Sequence, residues 1–347
     1  MKSKIGIIGF FDYEKQNSGG GVIKTRNFEI VLKERYGQEN VITLDRAERI
    51  NDAHWILRLI VLCKSSDVVF AMYPMPKMIQ KLTGLILLLK KMYKFKLIYP
   101  VIGGWLPDYL TENEKSKEQL LKFDLVLVET YEMKNKLRML GLKNVEFMPN
   151  FSLRKPINKV KAYSSEKFKF CIFSRVVKEK GIELAIDAIN QANKQLNGRY
   201  ECLLDIYGLV DDAYVTQFEE IVKKNSNIVT YKGLLQGTEI LNVLSDYYML
   251  LFPTFYSGEG FPGTLVETLM AGLPAIVSKW KYNSEIISEG KTGILFSLDI
   301  KDDLENKIVY AVSNRKKINA MRENCLRESE KYIPENLFNP IFKMIEL

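Results

Sequence analysis

The 347-residue chain has few of the residues that most often carry metal or covalent chemistry. It has one histidine, His54, and four cysteines, Cys63, Cys171, Cys202 and Cys325, with no CxxC pair among them. Metal-ligand spacing is therefore absent, and cysteines this sparse suit the reducing cytoplasm. They read as small buried hydrophobes. No D-x-D occurs, and the acidic doublets Asp211-Asp212 and Asp302-Asp303 fall in expected loops or caps and read as solvated surface. Long apolar runs are missing too. Ile56–Cys63, broken by Arg58, and Gly84–Leu89 fall well short of the ~18 residues that cross a bilayer. The apolar start breaks at Asp12 and reads as a first strand rather than a signal peptide.

What is present describes a folded protein with room for two domains. Hydrophobic residues make up 47% and charged ones 27%, which argues against disorder. The net charge of +8 is uneven: residues 1–150 hold 24 Lys and Arg against 17 Asp and Glu, the remainder 26 against 25. The densest basic stretch is Lys77–Lys96, with six lysines around an apolar core. It reads either as a core-packing helix with a solvated lysine face or as a surface helix resting on anionic lipid. No helix-turn-helix, RNP-like or zinc-finger pattern accompanies the charge, so nucleic acid is not an expected partner.

Strand-like and helix-like segments alternate in two rounds. The first gives strands at Lys4–Phe10, Val41–Leu44, Asp67–Met72, Lys96–Val101, Asp124–Glu129 and Val145–Met148. Runs such as VVFAM and LVLV suit strands buried on both faces of a parallel sheet. Residues 149–166 are polar, hold two prolines and read as a linker. The second round gives Phe168–Ser174, Cys202–Tyr207, Ile228–Tyr231, Met249–Phe252, Pro274–Val277 and Gly293–Phe296, with helical segments at Gly181–Leu196 and Leu304–Tyr332. The expectation is an α/β protein of two doubly wound domains, 1–155 and 165–333, plus a C-terminal helix, 334–347. Chemistry is then expected in a cleft at the carboxyl ends of both sheets.

The most informative segment is Phe252–Glu267, FPTFYSGEGFPGTLVE. A strand ends at Phe252, and a loop holds Gly258, Glu259, Gly260, Phe261, Pro262 and Gly263. A helix is expected from about Thr264. Glycines allow close backbone approach, and Pro262 suits a helix entry. Amides of Gly263, Thr264 and Leu265 at a helix start favour a diphosphate. Glu267, one turn in, can reach a vicinal diol, and Glu259 can accept from a second polyhydroxylated group. Ser174-Arg175 and Lys180-Gly181 add a guanidinium and an ammonium at a spacing that lets both meet a diphosphate.

From Leu234 to Val312 the chain resembles glycosyltransferase family 4, retaining enzymes of the GT-B fold. The residues that carry the likeness are Ser245-Asp246, Phe252-Pro253-Thr254, Glu259-Gly260-Phe261-Pro262, Glu267, Ala271-Gly272-Leu273-Pro274, Glu285-Ile286-Ile287 and Gly293. The second half matches almost throughout, the first more loosely. The resemblance implies that Glu267 binds ribose, that Glu259 sits against the donor sugar, and that Arg175 and Lys180 stabilise the departing nucleoside diphosphate without a metal or other cofactor. It places the nucleobase between Tyr207-Gly208 and Tyr231-Lys232-Gly233, and it has the C-terminal helix cross back to the first domain.

Two clusters in the first half are less specific. Gly19-Gly20-Gly21 fails the G-x-G-x-x-G test because Lys24 stands at the sixth position. It is either a plain turn or, as the resemblance implies, a loop closing over donor phosphates and acceptor. Gly103-Gly104 stand where many family members carry a histidine, and Trp105 and Asp108 beside them are candidate acceptor contacts or packing and capping residues. His54, beside Trp55 in an expected helix, reads as structural. The expected activity is transfer of a hexose, with retention, from a nucleotide sugar, UDP-linked by family frequency. The expected acceptor is a hydroxyl of a glycan or polyprenyl-diphosphate-linked oligosaccharide in bacterial surface polysaccharide synthesis, such as capsule or O-antigen. Two other readings stay open: a nucleotide-sugar epimerase of the same fold, and a non-catalytic nucleotide-sugar-binding partner subunit.

Overall fold

The computed structural model describes residues 3–13, 19–46, 53–72, 76–235 and 237–346, the side chains of Lys77 and Met78 excepted. Two compact units are present, Met1–Leu153 with Pro334–Leu347, and Arg154–Ile333.

In the first unit, β1 (Ile5–Gly9), β2 (Val41–Asp45), β3 (Val68–Ala71), β4 (Lys96–Pro100), β5 (Leu125–Val128) and β6 (Val145–Phe147) form one parallel sheet in the order β2-β1-β3-β4-β5-β6. Its helices are α1 (Gly20–Tyr36), α2 (Ala53–Ser65), α3 (Pro76–Tyr93), α4 (Leu106–Glu112), α5 (Glu114–Leu120) and α6 (Tyr131–Met139). The β1 and β3 side chains are fully buried, as strands covered on both faces must be.

The second unit repeats the scheme. Strands β7 (Lys167–Phe173), β8 (Glu201–Tyr207), β9 (Val229–Gly233), β10 (Met249–Phe252), β11 (Ala275–Ser278) and β12 (Gly293–Phe296) lie parallel in the order β12-β11-β10-β7-β8-β9. Helices α7 (Ile182–Leu196), α8 (Val215–Lys224), α9 (Ile240–Ser245), α10 (Gly263–Met270), α11 (Asn283–Ile286), α12 (Asp303–Ser313) and α13 (Arg315–Ser329) connect or cover them. The last helix, α14 (Pro334–Glu346), returns to the first unit. There Phe338 packs 5.2 Å from Phe28 and 4.9 Å from Phe151 between ring centres, and Arg35 pairs with Glu346 at 3.0 Å.

All twelve expected strands occur, with ends displaced by no more than two residues. Two expectations change. The helical segment 304–332 is broken at Asn314, which leaves helical geometry (φ −118, ψ 38) and caps both α12 and α13; a short 3-10 turn, Glu330–Tyr332, follows. The segment 149–166 is irregular but not a loose linker. Ile157 donates its N–H to the Met270 carbonyl, and Tyr163 is buried in the core with Asn319 bonded to its backbone.

Candidate functional site

Each sheet reverses its strand order beside its first strand, and such a reversal opens a crevice at the carboxyl ends. In the second unit the reversal lies between β7 and β10. The loops leaving those two strands carry Arg175, Lys180 and Glu259, and their backbones are locked together. Phe255 donates its N–H to the Glu179 carbonyl at 2.8 Å. Gly181 adopts φ +73, and a Cβ there would meet the Pro253 carbonyl oxygen at 2.2 Å. Only glycine fits. From the other side, the Ser278 hydroxyl donates to the Thr254 carbonyl at 2.7 Å, and the Trp280 indole N–H donates to the Tyr256 carbonyl at 2.7 Å.

This scaffold brings Lys180 and Glu259 together. Lys180 Nζ donates to Glu259 Oε2 at 2.6 Å, and the Thr254 hydroxyl donates to the same oxygen at 2.9 Å. Glu259 is 7% exposed. Lys180 Nζ also lies 5.4 Å from the Phe252 ring centre and 5.3 Å from that of Tyr256, within cation–π range of both. Arg175, at the end of β7, is exposed, and among the described residues its guanidinium makes no hydrogen bond or ion pair.

Helix α10 begins at Gly263, with Pro262 as its cap. The N–H groups of Gly263 and Thr264 have no acceptor within the helix, as in any first turn. Leu265, expected to offer a third free amide, instead donates to the Pro262 carbonyl at 3.1 Å. The side chains of Phe261 and Leu265 are buried in the core, Phe261 lying 5.4 Å from Tyr332 between ring centres, so these side chains serve packing. Gly260 and Pro262 are buried as well. Glu267 accepts from Arg154 Nη1 at 2.5 Å. Burial holds its carboxyl above the usual range, and the Arg154 charge offsets only part of that rise.

The two segments expected around a nucleobase are adjacent. The Tyr231 hydroxyl donates to the Gly208 carbonyl at 2.8 Å, and Gly208 N–H donates to the Gly233 carbonyl at 2.9 Å. Gly208 passes so close to the Ser174 carbonyl that no side chain fits. Below them, the Tyr247 hydroxyl donates to Asp205 at 2.7 Å and lies 2.8 Å from the Tyr207 hydroxyl.

The first-unit candidates differ more from expectation. Gly20 and Gly21 are not a loop: they form the first turn of α1, with Gly19 as its cap. Gly103 has φ +83, and Gly104 is buried. Trp105 caps α4 and donates its indole N–H to the Ile102 carbonyl at 2.8 Å, while Asp108 is exposed in the first turn of α4. His54 is an exposed residue of α2.

Sequence reasoning missed Arg154, Ser278, Trp280 and the buried pair Lys24–Glu129. Lys24 Nζ donates to Glu129 at 2.5 Å and to the Val101 carbonyl at 2.9 Å, and both side chains are 3% exposed. None of these has a local motif; Arg154 stands in a stretch whose composition says linker. The four cysteines are buried free thiols, and burial pushes Cys63 up to about 12. Among the described residues no group of three His, Cys, Asp or Glu side chains is placed to hold a metal ion.

Comparison with known proteins fits this geometry. Residues 154–327 match the family described as Glycosyl transferases group 1. The chain is 24% identical over 193 residues to an uncharacterized glycosyltransferase of Methanocaldococcus jannaschii, covering 55% of this chain and 51% of that one. It is 28% identical over 187 residues to the GtfA subunit of the UDP-N-acetylglucosamine–peptide N-acetylglucosaminyltransferase of Streptococcus pneumoniae, covering 52% of this chain and 35% of that one. The matched part thus spans about half or less of these curated relatives. Among solved structures, sucrose-phosphate synthase from Thermosynechococcus elongatus superposes with a TM-score of 0.75 at 16% identity, over 99% of this chain and 98% of that one. Anabaena HepE in complex with UDP and glucose gives 0.74 at 16% identity, over 99% of each. These likenesses show the GT-B fold, two sheets of the Rossmann kind. With the family match over half its length, the chain belongs to the glycosyl transferases group 1.

Proposed function

We propose that the protein is a retaining hexosyltransferase that uses a nucleotide sugar, UDP-linked, and needs no metal. The observation that carries this reading is the Lys180–Glu259 pair, held at the strand-order reversal in the same unit as the Gly263 and Thr264 amides, which have no acceptor within α10. In this reading Glu267 accepts from the ribose, and Gly263 and Thr264 N–H groups donate to the diphosphate. Glu259 faces the hexose, and Lys180 and Arg175 meet the charge that grows on the leaving phosphate. Breaking the C1–O bond moves an electron pair onto that phosphate oxygen. The acceptor oxygen then bonds to C1 on the same face, and its proton passes to the leaving oxygen. Preorganised cations and amides at that oxygen are the largest source of rate. UDP is bound in the solved structures of HepE and of pneumococcal GtfA, which supports a UDP-linked donor.

The acceptor side belongs to the first unit in this reading, with Gly20, Gly21, Gly103, Gly104, Trp105 and Asp108 as candidate contacts. A lipid-linked or glycan acceptor of a bacterial surface polysaccharide is favoured by a basic, apolar face. Neighbouring helices α2 and α3 expose Leu57 and Val61, and Leu88 and Met92, each pair one turn apart. Lys64, Lys81, Lys91 and Lys94 are exposed on or beside them, whereas Lys90 pairs with Asp124 and Lys96 bonds the Ile345 carbonyl. Such a face suits the cytoplasmic surface of an anionic membrane. No helix among the described residues is long and apolar enough to cross one.

The test is nucleoside diphosphate release from a panel of nucleotide sugars, with and without acceptor extracts and with EDTA. Release that rises only with acceptor and survives EDTA is expected. Epimerised donor without release, or release indifferent to acceptor, overturns transfer. The anomeric configuration of the product checks retention.

A further inference from the structure

Arg154 is the first residue of the second unit and lies outside every helix and strand. Its guanidinium spans two groups: Nη1 donates to Glu267 Oε1 at 2.5 Å, and Nη2 donates to the Gly237 carbonyl at 3.2 Å. Two anchors on a planar fork fix its orientation, and through it the plane of the carboxylate. Among the described residues nothing donates to Glu267 Oε2. The side chains of Arg154 and Glu267 are 32% and 16% exposed, so the pair sits in a wall that a ligand can reach.

A carboxylate that recognises a vicinal diol must accept from two neighbouring hydroxyls at once, which requires one rotamer and a fixed plane. We propose that Arg154 is a positioning residue for donor recognition, holding the Glu267 carboxylate so that it accepts from both hydroxyls of the nucleotide ribose. The proposal rests on the donor-site reading above and adds a residue outside its motif. The charge balance supports it. Burial raises the Glu267 pKa and Arg154 opposes that rise. Among the described residues Arg154 is the charged group that acts on Glu267; Arg322 of α13 turns to the Ser245 and Tyr247 carbonyls. Without Arg154 the carboxyl takes up a proton more readily as pH falls, and a neutral acid no longer accepts from both hydroxyls.

The experiment uses the full chain and the nucleoside diphosphate, among UDP, GDP and ADP, that raises its melting temperature most. Its dissociation constant and that of its 2′,3′-dideoxy counterpart are measured by calorimetry for wild type, Arg154→Gln and Arg154→Lys, at pH 6 and pH 8. Arg154→Gln is expected to weaken the ribonucleotide by about tenfold, the loss of one charge-assisted contact. The loss should be greater at pH 6 than at pH 8, should be partly restored in Arg154→Lys, and should vanish with the dideoxy compound. Arg154→Gln binding as tightly as wild type, or more tightly, overturns the proposal, the latter because the arginine then blocks the site. Equal weakening for both compounds also overturns it, as the mark of a purely structural role. If wild type itself does not distinguish ribose from dideoxyribose, or binds none of the three, the donor-site reading of Glu267 fails instead.

Discussion

The two units share one architecture and differ in what they do with a buried charge pair at the carboxyl edge of the sheet. In the second unit, Lys180–Glu259 stands between the loops leaving β7 and β10, where the strand order reverses. In the first, Lys24 reaches from α1 to Glu129 at the end of β5 and to the Val101 carbonyl at the end of β4, and both side chains are sealed at 3% exposure. One pair ties together the loops at the strand-order reversal, where the proposed donor would bind, and the other bolts a helix to two strands. The family match follows the same division, since residues 154–327 lie entirely within the second unit. Equal folds thus carry unequal amounts of recognisable chemistry, because a site resides in loops and not in the sheet that displays them.

The comparison breaks if the first pair is functional rather than a bolt. Lys24→Met breaks the Lys24–Glu129 pair from one side inside the core, a change that costs up to about 3–5 kcal/mol. Denaturant unfolding should show that loss, and the double change Lys24→Met with Glu129→Leu should recover most of it. A variant of normal stability but no transfer would instead make the pair part of the reaction. The next effect belongs to the second pair. In the proposed reaction Lys180→Ala removes a cation from the leaving phosphate and should lower kcat by about 10²–10³. Steady-state rates check this, and a fall in donor affinity with kcat unchanged would reassign Lys180 to ground-state binding. Smaller still is the effect expected at the proposed lipid-facing residues of α2 in the first unit: Leu57→Ser with Val61→Ser should weaken binding to vesicles containing anionic lipid by roughly tenfold, the equivalent of about two CH₂ groups leaving lipid at about 0.8 kcal/mol each. Sedimentation with such vesicles measures it, and unchanged partition would remove the membrane from the proposal.

The sheets were legible because parallel strands buried on both faces are short apolar runs, as VVFA of β3 and MLLF of β10 are. The loop from Phe252 to Glu267 was legible because its glycines, proline and acids lie within one stretch of sequence. What escaped is assembled across the chain. Lys24 and Glu129 are 105 positions apart, and Arg154 and Glu267 are 113 apart, so no spacing rule joins either pair. Composition also misled where packing overrides it. Residues 149–166 look like a linker, yet Tyr163 is a core residue. The Gly19-Gly20-Gly21 triplet looks like a loop, yet only Gly19 stays outside the helix.

The glycines offer the finest test of the difference between the units. Gly181 has φ +73 and no room for a Cβ, whereas Gly20 is helical and, among the described residues, a Cβ there meets nothing within 4 Å. Gly181→Ala must therefore adopt a left-handed backbone and push against Pro253, at a cost of about 1–3 kcal/mol for the backbone alone. It should also disturb the approach of Lys180 to Glu259, and so lower kcat along with stability. Gly20→Ala should do the opposite on stability. Alanine loses less backbone freedom than glycine on entering a helix, so the change should stabilise the protein by up to about 1 kcal/mol. Thermal unfolding and transfer rates on the two variants separate the causes. If Gly20→Ala raises stability and leaves the rate alone, the first-unit glycines are merely tolerated by a helix start. If it raises stability and destroys activity, a ligand needs the space a methyl would fill, and the first unit holds its chemistry in an absence of side chains that no motif records.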